Sequence, residues 1–113
     1  MNDERQLLEK IKRLVAAGQF LVKVHAHRHG IEEGFTEADL VGALAGKCRV
    51  LEHYPTFSRC LILGFFALSQ NVRVPLHVVC DYSRDDRIDF ITAYIPRKPW
   101  WLTPTIRGKK HDH

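Results

Sequence analysis

The sequence predicts an α+β protein in which helices pack on one face of an antiparallel sheet of about four strands, with an extra helix at the N-terminus. Apolar residues recur at helical spacing as far as Gly46 and alternate with period two beyond it. The alternating stretches are joined by short turn-forming segments, the connection that antiparallel neighbours use, which leaves one side of the sheet for the helices. A length of 113 residues, 45% hydrophobic and 27% charged, fits one globular domain with a real core.

Element by element, Asp3 and Gln6 resemble a capping box, and Leu7, Leu8, Ile11, Leu14 and Val15 form one apolar stripe before Gly18. Residues 20–25 are β-branched and aromatic and read as a strand. Gly30 and Gly34 bracket a turn or short helix after it. Thr36 to Asp39 is a capping-box start for a helix over 37–45, buried through Leu40, Val41 and Leu44 and ending at Gly46. Strands are expected at 48–54, 57–67, 73–82 and 87–95. In the third of these, Val74, Leu76, Val78 and Cys80 face the helices, while Arg73, Pro75, His77, Val79 and Asp81 face away. In the last, Ile91, Ala93 and Ile95 face inward, leaving Phe90, Thr92 and Tyr94 on the uncovered side with His77.

Composition narrows the function classes. No apolar run approaches the ~20 residues of a membrane span, and the charged N-terminal helix is no signal peptide, so a cytoplasmic location is expected. Cys48, Cys60 and Cys80 form no Cys-x-x-Cys pair and sit in apolar runs, as inert buried thiols do. The net charge of +4 and a pI near 9.2 favour anionic partners, with Arg97, Lys98, Arg107, Lys109 and Lys110 crowding the C-terminus.

Several spaced motifs carry a resemblance: Tyr54-Pro55, residues 58–64, residues 73–79 around His77, residues 91–96 around Tyr94, the His25-Ala26 pair, Trp100 or Trp101, and Arg107. Together they resemble a family of small bacterial domains of unknown function, over roughly residues 20–107. That family is similar in layout to RelE/ParE-like toxins. The resemblance implies a core at 19–107, an added helix at 1–18 and a basic tail at 108–113, within a single domain. It implies metal-independent RNA cleavage by a toxin paired with a small antitoxin protein. Where the family carries arginines after the His-Ala pair, this chain has His29 and Glu33, with Arg28 beside them.

Cleaving RNA without metal needs a base for the 2′-hydroxyl, an acid for the leaving oxygen and cations for the phosphoryl group. His77, Tyr94 and His25 are the expected acid–base residues. Arg28, Arg59, Arg73 and Arg107 are the expected phosphate ligands, since the guanidinium fork binds two phosphate oxygens. Trp101 offers a face on which a base can stack. No cofactor and no metal are expected. A non-catalytic domain binding protein or RNA is the first alternative. The second is a metal-binding protein in which His25, His27 and His29 project from one face of a strand, completed by His111, Asp112 or His113.

Overall fold

The helical stripes and the alternating strands close around a single layer boundary. A computed structural model of the chain describes residues 3–108. The Asp3 side chain and residues 109–113, on which the expected N-terminal cap and much of the basic tail fall, lie outside the described residues. Helix α1 (Asp3–Ala16) buries Leu7, Ile11, Leu14 and Val15. Helix α3 (Glu37–Ala45) starts on the Thr36–Asp39 capping box and buries Leu40, Ala43 and Leu44. The two pack together, and the Lys12 ammonium donates to the Leu44 carbonyl at 2.7 Å, satisfying an oxygen that the last turn of α3 leaves open.

Four strands, β2 (Arg49–Tyr54), β3 (Arg59–Ser69), β4 (Val72–Asp81) and β5 (Ile88–Tyr94), pair antiparallel in sequence order. Cys60, Ile62 and Phe66 of β3 and Leu76, Val78 and Cys80 of β4 join the stripes of α1 and α3 in one apolar cluster. Gly64 lets α3 approach this closely, because a Cβ there would stand 2.7 Å from the Ala43 carbonyl oxygen. Cys60 and Cys80 are paired across β3 and β4 and fully buried; their hydrogen bond, then burial, pushes the Cys80 thiol up.

Two features depart from the four-stranded antiparallel expectation. A strand β1 (Phe20–Val22) adds to the edge of β5 in parallel, so the sheet is mixed and five-stranded, in the order β1-β5-β4-β3-β2. The expected strand at 20–25 therefore ends at Val22, and residues from Val24 onward belong to helix α2 (Val24–Glu33), which packs on β5. Gly30 does not interrupt α2. A Cβ there would stand 2.6 Å from the Phe35 carbonyl oxygen, so the glycine serves the close return of the chain into α3. Among the described residues no helix is long and apolar enough to cross a membrane.

Candidate active site

Two β-bulges determine which side chains face away from the helices. Thr92 pairs with Val79 but Phe90 pairs with Cys80, so Ile91 is the extra residue and alternation resets across it. Phe90 consequently lies fully buried in the helix-side core rather than on the opposite face where strict alternation places it. Thr92 and Tyr94 remain opposite, with Tyr94 directly across from His77. On β2, Val50 pairs with Ile62 and Glu52 with Leu61, making Leu51 the extra residue. That bulge turns Glu52 and Tyr54 onto the side of the sheet that carries His77.

This side is covered at its centre, contrary to the expectation of an open face. A short hairpin of β6 (Trp101–Thr103) and β7 (Ile106–Arg107) folds back across it. Trp101 is buried and meets the His77 ring edge-on, with centroids 4.4 Å apart. His77 has no exposed surface; its Nε2 lies 2.8 Å from the Pro104 carbonyl oxygen and its Nδ1 lies 3.3 Å from the Tyr94 hydroxyl. A carbonyl only accepts, so Nε2 carries the proton and Nδ1 accepts from Tyr94. Burial pushes the His77 pKa down, which keeps this neutral form, with the Pro104 carbonyl and Glu52 opposing. Burial likewise raises the Tyr94 phenol, against hydrogen bonding from Trp101 and the Arg107 charge. The hairpin is fastened a second time by Arg107, which donates through Nε and a terminal nitrogen to the two Glu52 carboxylate oxygens at 2.8 and 2.9 Å. Its guanidinium lies 4.6 Å from the Trp101 ring centre. These hydrogen bonds hold the Glu52 carboxyl below the usual carboxylate range and raise Arg107.

Beside the hairpin is a cleft of about 1140 Å³, walled by α2, the end of β5, Glu52 and Tyr54 of β2, and the segment from Arg97 to Arg107. One helix face supplies its functional groups. His25, His29 and Glu33 are spaced four residues apart and so stand on one side of α2. The His25 and His29 rings stack with centroids 5.4 Å apart. His29 Nδ1 lies 2.9 Å from one Glu33 oxygen, and the Ile95 backbone N–H donates to the other at 2.8 Å. Arg97 sits 3.7 Å from Glu33 at the cleft's edge.

The cleft thus gathers His25, Tyr94, Arg107 and Trp101 from the expected set. His77 lies beneath the hairpin, and Arg28, Arg59 and Arg73 do not line the cleft. Arg28 is exposed on α2, Arg59 pairs with Asp81 at 3.3 Å, and Arg73 is exposed near the other end of β4. The three-histidine strand edge is also corrected. On a helix, residue 27 stands about 200° around from residue 25, so His27 does not join His25 and His29. Among the described residues no three His, Cys, Asp or Glu side chains are grouped to hold a metal ion.

With this geometry in view, the match of a family model over residues 22–95, from β1 to just past β5, decides the relationship. The chain belongs to the family described as a domain of unknown function, DUF4258. No curated protein and no solved structure matches it. The family's span includes α2 with His25, His29 and Glu33 and the sheet with His77 and Tyr94, while the covering hairpin lies beyond it. His29, Glu33, Glu52 and Tyr54 are cleft residues to which the sequence assigns no acid–base or phosphate-binding role, and Arg97 is counted only among the basic residues near the C-terminus. The four-residue spacing of His25, His29 and Glu33 was the available signal for two of them, once the helix is started at Val24.

Proposed function

We propose that the cleft binds single-stranded RNA and cleaves it without a metal ion, as the toxin of a toxin–antitoxin pair. The observation that carries this reading is the placement of two stacked imidazoles, His25 and His29, beside Arg97 and Trp100 in one cleft. One imidazole takes the proton of a ribose 2′-hydroxyl, whose oxygen then attacks the adjacent phosphorus. The bond from phosphorus to the 5′-oxygen breaks, and the other imidazole protonates that oxygen. The products are a 2′,3′-cyclic phosphate and a 5′-hydroxyl. Arg97 faces the phosphoryl charge, and the Trp100 indole gives a base a surface for stacking. The element order from β1 onward supports the assignment to a RelE/ParE-like layout: one strand, two helices, then four antiparallel strands.

In this reading His77 and Tyr94 are not proton-transfer groups. Both His77 nitrogens are engaged beneath the hairpin, and the Tyr94 hydroxyl donates to one of them. Their work is to hold the cleft's wall. Inducing the protein without its antitoxin should arrest growth and fragment cellular RNA into pieces ending in 2′,3′-cyclic phosphate. Purified protein should do the same with chelator present. Growth and RNA left intact in several hosts would refute it.

A second reading rests on a specific observation. Arg107 is held by Glu52, and Arg97 stands against Glu33, so both cleft arginines already face carboxylates. That arrangement favours a domain that binds a partner without cleaving it, and the same induction experiment separates the two.

A further inference from the structure

We infer that Glu33 is the positioning residue that makes His29 the base of the cleft, an assignment that rests on the RNA-cleaving reading and gives its two histidines distinct roles. The donors around one carboxylate set the roles of both rings. Glu33 stands at the last position of α2 with its side chain largely buried, at 18% exposure. One of its oxygens accepts the Ile95 N–H at 2.8 Å, a bond that reaches 62 residues along the chain and fixes the carboxylate against the end of β5. The other faces His29 Nδ1 at 2.9 Å. A carboxylate offers only acceptors, so Nδ1 must carry a proton, and in the neutral ring Nε2 is left as the acceptor. The i,i+4 spacing on α2 sets the distance, and the Ile95 bond prevents the carboxylate from turning away.

Among the described residues His25 has no such anchor; it is exposed and stacks on His29. The two imidazoles therefore differ although they stand one turn apart. His29 has a fixed tautomer with a basic Nε2 and takes the 2′-hydroxyl proton. His25, entering the step as imidazolium, gives its proton to the 5′-oxygen and ends neutral. Arg97 lies 3.7 Å from the Glu33 oxygen that Ile95 uses, so the same carboxylate also sets the guanidinium at the cleft's edge.

Glu33→Gln tests this with little change of shape. The amide oxygen can keep the Ile95 N–H, but its NH₂ group then donates to His29 Nδ1 and drives the ring proton to Nε2. Nitrogen-15 NMR of the histidine rings at pH 8, where an ordinary imidazole is neutral, reads the tautomer directly. In the wild-type protein His29 should show a protonated Nδ1 and a bare Nε2, and in Glu33→Gln the two should exchange. RNA cleavage should fall about 10²–10⁴-fold in the same variant, as for loss of a general base. A wild-type His29 protonated on Nε2 would overturn the assignment without needing any variant to fold. So would a tautomer that Glu33→Gln leaves unchanged. A tautomer that exchanges in a protein that cleaves no RNA supports the positioning role and refutes the RNA reading.

Discussion

The face of the sheet under α1 and α3 is closed by aliphatic and phenylalanine side chains with two buried thiols, whereas the opposite face is closed at its centre by Leu61, Leu63, Trp101 and a histidine. Apolar packing is set by volume and exclusion of water rather than by bond direction, so the first face tolerates volume-conserving apolar exchanges. The second face is directional. His77 is tied at both nitrogens and Arg107 at two, and the hairpin that supplies Pro104 and Arg107 is only a few residues long. The two faces divide the work: the helix side makes the fold, and the polar side fixes the wall of the cleft.

Substitutions in the two faces should separate them by magnitude. Phe90→Ala empties a fully buried aromatic position in the helix-side core and should destabilise the protein by about 3–5 kcal/mol in urea denaturation. A loss below about 1 kcal/mol would mean that the Ile91 bulge does not turn Phe90 inward in solution. His77→Ala should destabilise by about 2–4 kcal/mol, through lost packing and an unsatisfied Pro104 carbonyl.

Acid should weaken the polar face first. His77 has a depressed pKa in the folded state, so between that value and its ordinary 6.5 the unfolded chain binds the additional proton. Its stabilising contribution is complete above pH 6.5 and is lost as pH falls below it, with a slope of at most about 1.4 kcal/mol per pH unit. Thermal denaturation between pH 7 and 5 should show that slope in the wild type and lack it in His77→Phe. Glu52 also has a lowered pKa, so its contribution is present above its ordinary 4.5 and is lost only at lower pH. The smallest effect is expected at Arg107→Ala. Its side chain is 38% exposed and its ion pair with Glu52 is screened, so less than about 1 kcal/mol should be lost. A larger loss would make the hairpin's second fastening as important as the first.

How much of this was legible in sequence follows from the same contrast. The stripe of α1, the Thr36 cap of α3 and the helix-facing residues of β4 were readable because period and capping chemistry act locally. The two bulges were not readable, since each inserts one residue into an unbroken apolar alternation; they misplaced Phe90 and hid Glu52 and Tyr54. The start of α2 was obscured by Val22 and Val24, whose β-branched side chains continue the strand pattern although Val24 is exposed on the helix. The parity of His77 and Tyr94 was correct, but the hairpin that buries His77 comes from a segment whose alternation spans only a few residues.

On the proposed reading, chemistry resides with His29 in the cleft and not with His77 beneath the hairpin. The most direct test of this is the rate of cleavage of a single-stranded RNA, with chelator present, per folded molecule of His29→Ala and of His77→Gln, the latter keeping a donor for the Pro104 carbonyl. The predicted result is a loss of about 10²–10⁴-fold for His29→Ala and an unchanged rate for His77→Gln. A full rate in His29→Ala, or an equal loss in His77→Gln while the protein stays folded, would contradict it.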